Sequence, residues 1–171
     1  DCYRCPFGAT REDCTCECFV HAERAFAEHG HETVAMIVEP LLQGSAGMRI
    51  YPEEYLRKLR VLCDAHDVLL IADEIATGFG RTGRLFACER AGITPDIMCL
   101  SKGLTGGYLP MSITIVKEKI YEAFYADWSE GKAFMHSHTY AGNPLGCAAA
   151  PCSTFLMRRI YWSVPQRPRN G

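Results

Sequence analysis

Four short apolar runs punctuate the chain: residues 34–38, 68–72, 97–101 and 111–116. Each is too short for a helix and is bounded by polar or turn residues, so each reads as a buried strand. Between them the spacing turns helical. Residues 21–30 read as a short helix closed by Gly30. Gln43–Gly47 is a loop, and Pro52 then opens a helix to about His66, with Leu56, Leu59, Leu62, Cys63 and His66 on one face. Residues 117–128 look helical, and Asn143-Pro144 starts another helix, with Asn as cap and Pro in the first turn. The first two strands and the helix between them form a βαβ unit with a parallel pair. Only residues 102–110 separate the last two strands. A parallel crossover needs about a dozen residues or more, so the fourth strand is predicted antiparallel. The fold class is α/β, with a mostly parallel sheet and one antiparallel strand.

Composition narrows this without changing it. The 171 residues suit one domain, and 48% hydrophobic with 22% charged residues is an ordinary globular balance. A net charge of −2 and a pI near 6.3 argue against a nucleic-acid or membrane-surface binder. No apolar run approaches the ~18 residues of a membrane span. The start has no basic head followed by an apolar stretch, which makes the cytoplasm the default compartment. Its lack of a methionine suggests missing upstream sequence. Three regions are expected: a Cys-rich loop or insertion at 1–18, the main α/β unit at 19–150, and a tail at 151–171. Pro151 interrupts a helix barely begun, and the tail has four arginines and no acidic residue. It reads as an aberrant, out-of-frame end, with a solvated tail as the alternative.

Five of the ten cysteines lie at 2, 5, 14, 16 and 18. The pair Cys2-x-x-Cys5 and the run Cys14-x-Cys16-x-Cys18 admit a zinc reading. A strong site needs a second well-spaced pair, which favours plain loop thiols and no metal. The other five are scattered, several in apolar runs, as small buried hydrophobes are. A reducing compartment argues against a disulfide framework.

The candidate chemistry sits at two strand ends. Asp73 closes the second apolar run, and Lys102 follows the third, with Gly103, Gly106 and Gly107 after it. In open α/β sheets ligands bind at the carboxyl ends of the strands. A lysine and an aspartate there suit pyridoxal phosphate. The amine forms a Schiff base with the cofactor aldehyde, and the carboxylate keeps the pyridinium nitrogen protonated. Lys102 must be neutral to attack, so burial is expected to lower its pKa. By spacing alone, a turn-capping Asp and a surface Lys remain an open alternative. Gly78-Phe-Gly-Arg-Thr-Gly83 matches G-x-G-x-x-G, but Asp73 and Glu74 would repel a pyrophosphate and no convincing helix opens at Gly83. His136-x-His138 is a poor metal pair and reads as loop chemistry near a ligand.

Val38-Glu-Pro40, Asp73-Glu-Ile-Ala-Thr-Gly-Phe-Gly-Arg-Thr-Gly83, Ser101-Lys-Gly103 and Thr139-Tyr-Ala-Gly-Asn-Pro-Leu145 together resemble class III aminotransferases of fold type I. The resemblance covers roughly residues 1–150 and implies part of the large, pyridoxal-phosphate-binding domain. It makes Lys102 the Schiff-base lysine and Asp73 the pyridinium partner, with Ile75 packed on a ring face. His138, by its backbone, and Thr139 would bind the cofactor phosphate of the neighbouring subunit in a homodimer with shared active sites. Ser137 would contact substrate through its backbone, Arg81 would lie near it, and Glu39 would stand behind the cofactor or simply serve the strand-end turn. Gln43–Arg49, Leu85–Glu89 and Thr105–Pro110 resemble most the members that pass an amino group from S-adenosylmethionine to 8-amino-7-oxononanoate in biotin synthesis. Members acting on ornithine or 4-aminobutyrate, or an inactive fragment, are the alternatives. The resemblance implies a chain more than twice this length.

Overall fold

A computed structural model describes residues 5, 7–10, 12–136 and 138–150. The expected tail at 151–171, Cys2, Cys152 and Ser137 lie outside the described residues. The main sheet has four strands in the order β1 (Ala35–Val38), β4 (Leu69–Asp73), β5 (Ile97–Leu100), β6 (Ile113–Val116). A separate hairpin pairs β2 (Leu42–Gln43) with β3 (Arg49–Ile50). β1, β4 and β5 run parallel, and β6 runs antiparallel to β5. The nine-residue limit on the connection therefore holds: 102–110 is spent on a tight 3-10 turn at Lys102–Thr105 and a short return.

Helices lie against one face. α1 is Val20–His29, α2 is Glu53–Ala65 and α3 is Ala87–Ala91. Pro52 stands just before α2 in extended conformation, and Glu53 and Glu54 then fill the first turn, where the helix dipole favours negative charge. Leu56, Leu59 and Cys63 of α2 pack with Phe26 of α1, Ala87, Cys88 and Ala91 of α3, and Val38, Leu70 and Ala72 of the sheet. Burial pushes the Cys63 thiol up to about 11, so it behaves as a small core hydrophobe. Cys88 is also buried, Cys99 is partly covered and Cys147 is exposed. Cys16, in the amino-terminal stretch, joins the same core beside Phe19.

α1 ends at Gly30, as its sequence implied, with φ −56°, and the chain continues into a 3-10 turn, Gly30–Glu32. Glycine serves close packing there, since a Cβ would come within 2.6 Å of His66 Nδ1. The helix read over 117–128 shrinks to α4 (Glu118–Glu122), followed by a 3-10 turn at Trp128–Glu130. No residue of α4 is buried, so tertiary packing does not extend it.

At the amino end of β5, buried Asp96 ties the layers together. It accepts the Leu70 N–H at 2.8 Å and Arg60 of α2 at 2.7 Å, and pairs with Lys117 at 2.8 Å. Burial pushes its carboxyl up, but the bonds from Lys117, the Leu70 amide and Arg60 outweigh this and hold it well below the usual carboxylate range.

Candidate active site

Both sequence-predicted chemical groups stand at the carboxyl ends of neighbouring parallel strands. Asp73 is the last residue of β4 and is in register with Cys99 of β5, three positions before Lys102. Cross-strand partners point to the same side of a sheet and neighbours along a strand alternate. Asp73 therefore projects from the face opposite the buried Leu70 and Ala72, the face that carries the exposed Ile37. Its Oδ1 accepts the Ile75 N–H at 3.1 Å, so Ile75 is held directly against the carboxylate by its backbone. Asp73 borders a cleft of about 270 Å³ with Ile37, Val38, Glu39, Gln43 and Ala46.

The cleft is shaped by Glu39. Its Oε2 accepts the Gly44 N–H at 2.9 Å and its Oε1 accepts the Ser45 hydroxyl at 3.0 Å, fastening the hairpin tip. The Tyr51 hydroxyl donates to the Glu39 carbonyl at 2.7 Å from the hairpin's far end. Of the two roles open to Glu39, the structure supplies the turn role directly and also puts the residue beside Asp73.

Lys102 follows an extended Ser101 and takes φ +44°, a left-handed value uncommon for a side chain with a Cβ. Ser101 Oγ donates to the Met111 carbonyl at 2.7 Å, bracing the turn against the return strand. The Lys102 side chain is exposed, and no hydrogen bond or ion pair among the described residues engages its amine. The burial expected of it is thus not supplied by the described residues.

Glu74, passed over in sequence except as a neighbour of Asp73, is fully buried. Its carboxylate accepts the Thr77 hydroxyl at 2.6 Å and the Ala87 and Cys88 N–H groups at 3.0 and 2.8 Å. It therefore caps α3 from thirteen residues away, with Glu89 reaching back to the Phe86 N–H at 3.2 Å. The signal was a second carboxylate at a strand end followed by Thr77, but its partners are too distant in sequence to be read. The loop between carries Arg81, exposed near its middle, and Gly78, where a Cβ would meet the Glu74 carbonyl at 2.8 Å. The G-x-G-x-x-G match is this loop. α3 opens four residues after Gly83 and its first amides are taken by glutamates, which leaves no anion site there.

His138 and Thr139 lie in an exposed loop after α4, where the His138 carbonyl accepts the Ala141 N–H at 2.9 Å. The His136 and His138 rings meet edge to face at 4.8 Å. No hydrogen bond or ring contact among the described residues joins this loop to Asp73 or Lys102. Residues 144–150 are helical, as the Asn143-Pro144 start implied, and Asn143 Oδ1 accepts the Leu145 N–H at 3.0 Å. Among the described residues no group of three or more His, Cys, Asp or Glu side chains could hold a metal ion, and no helix is long and apolar enough to cross a membrane.

A carboxylate and a lysine on adjacent strand ends of a mostly parallel sheet, joined by this loop, agree with what the chain matches. It belongs to the class III aminotransferase family, matching Aminotransferase class-III over residues 3–158. It is 49% identical over 169 residues to the adenosylmethionine-8-amino-7-oxononanoate aminotransferase of Geobacter sulfurreducens, covering 97% of this chain and 37% of that protein. Its identity to the enzyme of the same name from Nitratidesulfovibrio vulgaris is 51% over 168 residues, covering 98% of this chain and 31% of that one. Among solved structures, the adenosylmethionine-8-amino-7-oxononanoate aminotransferase of Methanocaldococcus jannaschii aligns with a TM-score of 0.80 at 40% identity, over 84% of this chain and 34% of that one. An amine transaminase from an uncultivated Pseudomonas species, in its PLP-bound form, aligns with a TM-score of 0.81 at 38% identity, over 92% and 36%. The chain spans about a third of the length of the curated relatives it matches.

Proposed function

We propose that this chain carries the lysine- and aspartate-bearing core of a pyridoxal-phosphate aminotransferase, whose whole protein passes an amino group from S-adenosylmethionine to 8-amino-7-oxononanoate. The observation that carries the reading is the placement of Asp73 and Lys102 on adjacent parallel strand ends. The choice of substrates is supported by relatives of that name at about half identity, whereas ornithine aminotransferases among the solved structures stand at 32–33%.

The residues fit the cofactor. Asp73 spends one carboxylate oxygen on the Ile75 N–H and borders a cleft, which leaves acceptor capacity for a ring N–H. Lys102 holds a primary amine free of ion pairs among the described residues, as a group that must attach covalently requires. When bound, pyridoxal phosphate supplies an electron sink for the carbanion formed at the substrate's α-carbon. Asp73 holds the proton at the ring nitrogen that makes the sink effective. Ile75, pinned by its own amide, packs on the ring. Lys102 would anchor the cofactor through its amine, and the same amine would hold and return the proton of the substrate's α-carbon. In a homodimer His138 and Thr139 bind the partner site's phosphate, which agrees with their exposure. Ser137 and Arg81 contact or approach substrate.

The test is to incubate the chain with pyridoxal phosphate, reduce with borohydride and map the labelled peptide. Stoichiometric label on Lys102 alone is expected. Label spread over exposed lysines such as Lys119 and Lys132, or absent, would sink the claim that this chain builds the site. In a full-length protein, amino transfer from ornithine but not from S-adenosylmethionine would overturn the substrate assignment.

A further inference from the structure

The loop after Asp73 returns to touch the turn that carries Lys102. Phe79 sits in that loop at φ +59°, followed by Gly80 at φ +94°. The turn of the chain drives the Phe79 ring into a small apolar cluster with Leu100 and Leu104, which bracket Lys102, and Phe86 meets it edge to face at 5.8 Å. Next to Lys102, Gly103 lies so close to Phe79 that an added Cβ would stand 2.7 Å from Phe79 Cβ and 2.9 Å from its Cγ and Cδ2. Lys102 itself is in the left-handed region at φ +44°. Such a conformation is costly for a residue with a side chain, and persists only where surroundings enforce it.

The turn closes on its own bonds: the Leu104 N–H donates to the Ser101 carbonyl at 2.9 Å and the Gly106 N–H to the Gly103 carbonyl at 3.1 Å. On the far side, Glu74 clamps the ends of the Phe79 loop through Thr77 and the first amides of α3. The path Asp73–Glu74–Phe79–Gly103–Lys102 is thus one packed unit that links two strand ends.

We propose that Phe79 is a positioning residue for Lys102: its ring, seated against a glycine that must have no side chain, holds the lysine's backbone in its strained conformation and so fixes the amine relative to Asp73. This rests on the cofactor reading for its consequence, but not for its geometry. It also assigns Gly103 a requirement separate from backbone freedom, namely close approach.

The experiment compares the wild-type chain with Phe79→Leu, Phe79→Ala and Gly103→Ala. Hydrogen exchange of the Leu104 and Gly106 amides reads the turn without cofactor. Borohydride mapping after limiting pyridoxal phosphate reads Lys102, with Lys58 and Lys119 as internal controls. Phe79→Ala and Gly103→Ala are expected to speed exchange at both amides and to slow Lys102 labelling about tenfold, the size of one residue's left-handed strain as a rate ratio. The controls should not change. Phe79→Leu, which keeps bulk in the cluster and folds most safely, should recover most of both signals. Wild-type exchange rates at both amides in Gly103→Ala, or in a folded Phe79→Ala, would overturn the proposal. So would exchange as fast in Phe79→Leu as in Phe79→Ala. If exchange responds as expected while wild-type Lys102 takes no label, the positioning stands and the cofactor reading of this chain fails.

Discussion

Asp96 and Asp73 stand at opposite ends of neighbouring strands, and they are treated in opposite ways. Asp96, at the amino end of β5, is 4% exposed and takes hydrogen bonds from an amide, a guanidinium and an ammonium. Asp73, at the carboxyl end of β4, takes one amide bond and borders a cleft. The first is a saturated carboxylate joining β4, α2 and the chain after β6. The second keeps acceptor capacity at the end of the sheet where the left-handed Lys102 also stands. A fold stabilised at one end can leave the other end's polar groups for a ligand, and the difference lies in partners rather than in residue type.

The largest expected effect breaks the saturated end. Asp96→Ala leaves Arg60, itself only 12% exposed, without its inner partner. Losing one member of a buried pair costs about 3–5 kcal/mol, so the denaturant midpoint should fall sharply. A midpoint within error of wild type would mean that the network is decorative and the contrast empty. A pH series sharpens the same point. The Asp96 carboxyl is depressed in the folded state, so its stabilisation is complete above the unfolded value of about 4 and drains away as pH falls below it. Asp96→Asn should be less stable at neutral pH and flatter between about pH 4 and 2. Acid unfolding with the same slope in both proteins would remove Asp96 from the account. The smallest effect belongs to the other end. Asp73→Asn should move the midpoint by no more than about 0.5 kcal/mol, as for a substitution away from any saturated network. It should nonetheless weaken pyridoxal-phosphate binding, measured by absorbance titration. A large loss of stability in Asp73→Asn would make it a second structural carboxylate.

The two faces of the sheet mark how far pattern reading reaches. The apolar runs identified every strand of the main sheet, and the length of 102–110 was enough to turn β6 antiparallel. Continuous apolar strands imply cover on both faces. Yet Leu70 is fully buried under the helices while Ile37, on the opposite face of the neighbouring strand, is 59% exposed. Composition cannot distinguish the two, because both are aliphatic residues in equally apolar runs. Helix ends were legible in part. Gly30 was legible as the end of α1, but not its close packing against His66, a residue of another helix's end. Residues 117–128 had helical spacing but little to pack on, and most of that stretch did not become helix.

What the sequence determined by itself was local: where strands form, which residues end them, and hence that Asp73 and Lys102 stand at strand ends. These follow from apolar periodicity and connection length, which act over a few residues. The tertiary structure alone decided which carboxylates are spent and which are free. Glu74 reaches the amides of α3, Asp96 gathers Arg60 and Lys117, and Phe79 closes on Gly103, each across an interval of thirteen residues or more. Such partners are chosen by how the layers meet, and burial removes the water that would otherwise satisfy them, so their identity is settled only when the chain has packed.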